Sequence, residues 1–443
     1  MSSVIQKFGD YVDREAPRNP DKVRRRILTA YRLFGWYQKH FPDKRKPASR
    51  KYLADQCMNF MIKGFSHPEN AAMVSMFMPC EILQAFHLNP MCAEMFSTYL
   101  NGAGAEKAFV DAAEEAGVSG TYCSYHKVLI GAAKTGVLPK TKCIINTSLA
   151  CDANNLTFRS LAQMMEVSQH YIDVPYRRNE ISVEYVAGQL REMTEALEKE
   201  TGRPFDENKL KEAVERSAQT LRLLNETIPY RKTKYLAGDL TSQLYEALML
   251  HNALGSEEAL QYARLLLEDY RNAPEGHGKK IVWMHTNPFW QKCVKDYLNY
   301  NEDIYVTATE LSYDVQVTDE NGSSDTLLDT SDPYVFMARR LVYDAYNGPV
   351  TDRIAATRKT ADQVQADGVV VFCHWGCKET CGASGQIKDA LEKAGYPCLV
   401  LNGDGVDRHN TSDGQVSTRI GAFMEMLETS GSAANDTEDA YKI

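Results

Sequence analysis

Residues 368–386, GVVVFCHWGCKETCGASGQ, run a short apolar strand directly into three cysteines. Val369, Val370, Val371 and Phe372 are β-branched or aromatic, the pattern of a strand covered on both faces in a parallel sheet. Cys373, Cys377 and Cys381 then fall at and beyond its carboxyl end. In open α/β sheets ligands and cofactors bind there, in the crevice beyond the strand ends. Gly376, Gly382 and Gly385 let the backbone bend closely around a bulky guest, and good helix formers follow over 386–394. Such a strand requires strand neighbours on both edges and helices on both faces.

The rest of the chain supplies them. At 443 residues it exceeds the size at which one core stops growing, so more than one subdomain is expected. Asn19-Pro20-Asp21 is a helix start, and Val23, Ile27, Ala30, Tyr31 and Phe34 share one face, with Arg24, Arg25 and Arg26 solvated on the other. This places a helical region at 1–65. Over 66–180 the pattern becomes strand and helix in alternation: an apolar strand at 73–78, Pro79-Cys80-Glu81 opening a helix, and strands at 143–147 and 171–174. A helical insert follows at 181–275, where Val183, Val186, Leu190, Met193 and Leu197 recur at helical spacing, as do Leu210, Val214, Leu221 and Leu224 beyond the Gly202-Arg203-Pro204 breaker. Strands at 281–285, 304–309, 368–373 and 398–401 define a second α/β subdomain over 276–429, interrupted by a polar loop at 319–332. A small, polar, acidic tail at 430–443 reads as disordered. The fold class is α/β with two parallel sheets.

Function is bounded by what is missing as much as by what is present. The formal charge of −9 argues against a general nucleic-acid binder, whose phosphate contacts need a basic surface. No apolar run is long enough to span a membrane, and the amino terminus lacks the apolar core of a signal peptide, so a cytoplasmic protein is expected. Eleven cysteines in a chain of this length and compartment do not form a disulfide framework. Cys57, Cys92, Cys143, Cys293 and Cys398 read as small buried hydrophobes. Neither a G-x4-G-K-[ST] phosphate loop nor a G-x-G-x-x-G after a strand is present.

Two more cysteines share the placement of the opening stretch. Cys123 precedes a helix in GTYCSYHK, and Cys151 follows the strand ending at Thr147, in TSLACDANN. Thiolates from three separate loops converging on one crevice suit an iron–sulfur cluster with one iron left open. A zinc site of Cys373, His374, Cys377 and Cys381, a Cys nucleophile with His126 or His374 as base, and unliganded cysteines are the alternatives. Glu81 is either a first-turn acid favoured by its helix or a carboxylate of the crevice.

At these residues the sequence resembles the 2-hydroxyacyl-CoA dehydratase family, which also contains benzoyl-CoA reductase subunits. The resemblance spans about 65–427 and is carried by Pro79-Cys80-Glu81, CSYHKVLIGAAKTGVLP with Cys123, TSLACD with Cys151, YIDVPY at 171–176, the strand leading to Cys377, and GQVSTRIGAFMEMLE at 414–428. It implies two Rossmann-like subdomains and a [4Fe-4S] cluster on Cys123, Cys151 and Cys377, the last chosen for its distance to the following helix. It also implies a carboxylate, Glu81, near the substrate end of the cluster.

The activity implied is removal of water from a 2-hydroxyacyl-CoA through a ketyl radical. One electron comes from a separate ATP-hydrolysing iron–sulfur activator, and a homologous second dehydratase subunit is the expected partner. Cys80, Cys373 and Cys381 are surplus to a three-cysteine site. They fit a larger, double-cubane cluster of a related ATP-dependent reductase. A non-catalytic iron–sulfur relay or scaffold is the alternative from another class.

Overall fold

The computed structural model describes residues 2–313 and 328–439, with side chains over 4–312 and 328–429. Two four-stranded sheets organise the chain. The first contains β1 (Ala71–Val74), β2 (Asn89–Cys92), β3 (Cys143–Thr147) and β4 (Gln169–Ile172), in the order β2-β1-β3-β4 and parallel throughout. The second contains β5 (Lys279–Met284), β6 (Ile304–Thr309), β7 (Gly368–His374) and β8 (Cys398–Gly403), in the order β6-β5-β7-β8, again all parallel. The two sheets therefore repeat one strand order, although the sequence shows no repeat. Both are Rossmann-like, and helices occupy their faces.

β7 is central, as its composition requires. Val370 and Phe372 pack on one face with Trp283, Leu401 and, from the last helix (Asp413–Asp439), Ile420 and Phe423. Val369 and Val371 pack on the other with Val282, Met284, Ile387 and Leu391. The apolar run is thus read out as two cores, one for each side of the pleat.

Helices Ser2–Glu15, Pro20–His40 and Ala48–Ser66 precede the first sheet. Helices Glu180–Thr201, Glu207–Arg231, Leu240–Asn252 and Glu257–Asn272 lie between the sheets in sequence. The first of these is capped by Asn179, whose side chain accepts from the Ser182 N–H, and Asp206 caps the second through the Lys209 N–H. Among the described residues no helix is long and apolar enough to cross a membrane. The expected tail at 430–443 lies outside the described side chains, and the expected loop at 319–332 lies outside the described residues as far as 327.

Two strand assignments differ from expectation at the edge that matters most. The strand expected over 73–78 ends at Val74; Ser75 makes the last ladder bond, to the Ile145 carbonyl, and a turn closed by Met78 N–H on the Ser75 carbonyl follows. The apolar side chains of Met76 and Phe77 belong to that turn. β2 is an edge strand containing Pro90, a residue that hides a strand from pattern reading because it cannot donate to a ladder.

Candidate active site

The carboxyl ends of both sheets turn toward one cavity of about 120 Å3. Met76 and Phe77 enter it beyond β1, Glu94 beyond β2, and Ala150 and Cys151 beyond β3. From the second sheet come His285 and Thr286 beyond β5, Leu311 beyond β6, and His374, Cys377 and Glu379 at the end of β7. Cys123, Tyr125 and His126 complete it from the start of helix Ser124–Lys134.

Cys123, Cys151 and Cys377 therefore share one cavity. Each is the residue immediately before a helix: Ser124–Lys134, Asp152–Met165 and Lys378–Cys381. Gly376 is what allows two of the loops to meet. With φ of +81°, it packs so closely on the Tyr122–Cys123 backbone that a β-carbon would stand 2.7 Å from the Cys123 nitrogen. Ser124 donates to Asp404 at 2.6 Å, fixing the Cys123 loop to the segment after β8.

Burial dominates the electrostatics. It raises the Cys123 thiol well above its usual range, with the charges of Cys377 and Cys151 adding to the effect. It raises Cys151 to about 12, again with Cys377 contributing, and it raises Cys377. The backbone N–H groups of His126, Asn154 and Thr380 pull the three thiols the other way and are outweighed. Three neighbouring thiols that resist ionisation are stable as thiolates only around a cationic guest, which is what a metal centre supplies.

The imidazoles are placed against the sulfurs. His374 Nδ1 accepts from the Gly405 N–H at 3.0 Å, which puts the ring proton on Nε2, 3.3 Å from Cys123 Sγ. Burial lowers its pKa, so the ring is a neutral donor. His285 Nε2 lies 3.4 Å from Cys377 Sγ. This histidine adopts φ of +70°, and its N–H donates to Glu310 at 2.8 Å. Arg353 binds the same carboxylate through two nitrogens, at 2.6 and 2.8 Å, and reaches Thr380 Oγ1 at 3.2 Å. One buried ion pair thus sets both the His285 backbone and the Cys377 loop. His126 Nδ1 is buried with no hydrogen-bond partner among the described residues.

The family model of the 2-hydroxyglutaryl-CoA dehydratase D-component matches residues 75–427. The chain belongs to that family. It is 23% identical to the (R)-phenyllactyl-CoA dehydratase alpha subunit of Clostridium sporogenes, over 79% of this chain and 87% of the relative. It is 24% identical to the lactoyl-CoA dehydratase alpha subunit of Anaerotignum propionicum, over 76% and 86%. Against the (R)-2-hydroxyglutaryl-CoA dehydratase alpha subunit of Acidaminococcus fermentans the identity is 21%, over 66% and 61%. Enzymes so named are lyases.

The remaining expected residues are not gathered with the three thiols in the same way. Cys80 is buried, its thiol on the Met78 carbonyl at 3.2 Å. Glu81 is fully buried, in an ion pair with Arg340 and accepting from Ser217 at 2.8 Å, and it does not line the cavity. Its Oε2 is buried with no hydrogen-bond partner among the described residues. Cys373 and Cys381 pair with each other, sulfur to sulfur, at 3.0 Å beside the cavity. The hydrogen bond between the two sulfurs lowers Cys373 to about 7 and raises Cys381.

Sequence reading missed His285, Glu94 and Glu379. His285 ends a recognisable strand, Ile281 to His285, and a histidine at that position was the available signal. Glu94 was hidden because its strand was. Burial raises the pKa of both Glu94 and Glu379.

Proposed function

We propose that this chain is the iron–sulfur subunit of a 2-hydroxyacyl-CoA dehydratase, with Cys123, Cys151 and Cys377 as the cluster ligands. The observation that carries the reading is the convergence of three thiols, two from the first sheet's side and one from the second, on one cavity at the carboxyl ends of both sheets. When bound, a [4Fe-4S] cluster on three thiolates supplies a low-potential electron and one iron without a protein sulfur. The chain's own residues do the rest.

His374 donates to the Cys123 sulfur and His285 faces the Cys377 sulfur, contacts of the kind that tune cluster potential. Phe77, Leu244, Leu248 and Leu311 supply apolar lining that excludes water. Glu94, which lines the cavity with its carboxyl kept toward the protonated form by burial, gives a proton to the departing hydroxyl. With no phosphate loop in the chain, ATP hydrolysis falls to a separate iron–sulfur activator. The relatives' designation as alpha subunits supports a homologous partner subunit and an acyl-CoA substrate.

Anaerobic purification followed by iron and sulfide analysis tests the ligand set. About four of each per chain are expected, and none in Cys377→Ala or Cys151→Ala. Full iron in both variants overturns it. About eight irons per chain assigns the Cys373 and Cys381 pair to a larger cluster and favours the reductase. A full complement of iron with no water loss from any acyl-CoA, in the presence of partner, activator and ATP, assigns a relay or scaffold.

A further inference from the structure

A second constellation lies at the opposite end of the first sheet. β3 and β4 pair with Ile145 beside His170, and side chains alternate across a strand, so Cys143, Ile145 and His170 share one face. Helix Glu180–Thr201 packs on β4 and brings Glu200, in its last turn, over that face. One ligand atom from each of Cys143, His170 and Glu200 lies within 4.8 Å of the other two, and His170 Nε2 is 2.9 Å from Glu200 Oε2.

We propose that Cys143, His170 and Glu200 form a zinc-class cation site. Around tetrahedral zinc, with bonds of about 2.0–2.3 Å, ligand atoms stand roughly 3.3–3.6 Å apart. His170 and Glu200 already stand nearer than that, and the Cys143 sulfur lies within 4.8 Å of both, so closure needs side-chain shifts of about 1 Å. One thiol, one imidazole and one carboxylate select a borderline divalent cation; calcium and magnesium require oxygen ligands throughout.

The surroundings suit the role. Ser168 Oγ donates to the other carboxylate oxygen of Glu200, orienting it as outer-shell partners of metal ligands do. Glu200 also borders an open depression with Lys140, Lys142, Lys199, Glu69 and Glu166, where acidic and basic side chains balance. That depression opens the group to solvent on its Glu200 side. Bound there, zinc ties the edge strand β4 to β3 and to the helix above them. The length of β3, roughly 13 Å at 3.3 Å per step, separates this site from the thiol cavity, so its failure leaves the dehydratase reading untouched.

Cobalt(II) is a suitable probe, because a thiolate ligand gives it a charge-transfer band. It is titrated anaerobically into the full chain carrying Cys151→Ser and Cys377→Ser, which disable the other thiol site. One equivalent with a thiolate band is expected, displaced by zinc with a rise in the thermal midpoint. His170→Gln keeps a hydrogen-bonding group beside Glu200, and with Glu200→Gln it carries the test should Cys143→Ser fold poorly. Each of the three weakens cobalt binding by more than about a hundredfold, and Ser168→Ala by about tenfold. Absence of a thiolate band in the parent, or an unchanged band in His170→Gln, overturns the site.

Discussion

Replacing Gly376 by alanine tests whether the Cys123 and Cys377 loops are held together by close backbone contact. Two costs combine. A side chain at φ of +81° costs about 1–2 kcal/mol. Its β-carbon would lie 2.7 Å from the Cys123 nitrogen and the Tyr122 carbonyl carbon, atoms of backbone that cannot swing aside as a flexible side chain does. Overpacking of that kind costs about 1–3 kcal/mol more. Relief comes by moving the loops about 0.7 Å apart, to ordinary contact at 3.4 Å. Ligand positions in metal sites tolerate only about 0.2 Å.

A strain of about 2–5 kcal/mol borne by the liganded state weakens the hold on the cluster roughly 30-fold to several thousandfold. The assay is iron retained by the anaerobically purified protein under a chelator challenge, alongside the urea midpoint. Gly385→Ala is the control: it lies in helix Ser384–Lys393 with nothing within 4 Å, and should stabilise by up to about 1 kcal/mol. A Gly376→Ala protein with wild-type iron retention and midpoint would show that the loops do not depend on this contact.

Arg353→Met strands Glu310 in the interior without its cation and should cost about 3–5 kcal/mol in urea unfolding; a loss under 1 kcal/mol would remove the pair from its positioning role. His126 is held neutral by burial, its pKa down at about 3. Between pH 6.5 and 3 the unfolded chain binds a proton the native chain refuses, so stability falls with pH, by about 2 kcal/mol at pH 5. His126→Gln should remove that part of the difference between urea midpoints at pH 7 and pH 5, and an unaltered difference would be evidence against it. Cys373→Ala and Cys381→Ala should each keep the full iron content of a single cubane; iron loss in either would enlarge the ligand set.

The sheets were legible because β7 is apolar on both faces and β3 and β5 carry short branched runs, signals that survive without neighbours. Cys123 and Cys151 were legible for a related reason, since a cysteine just before a helix or after a strand falls by topology at the carboxyl edge. What sequence could not show was direction. Glu81 and Glu94 each stand near the start of a helix that follows a strand; Glu81 is paired with Arg340, distant in sequence, while Glu94 lines the cavity. The Cys143 grouping was equally hidden: an interior cysteine looks like core until the register sets His170 on its face.

The thiol cavity draws Cys123 and Cys151 from one half of the molecule and Cys377 from the other. A guest gripped there is also a rivet. Its removal, by oxygen or by a chelator, takes away a strut across the seam as well as the chemistry, leaving the seam to contacts such as Ser124 with Asp404. On the proposed ligand set of Cys123, Cys151 and Cys377, catalytic competence and the mutual anchoring of the two halves would be lost together, and neither half would assemble the centre by itself.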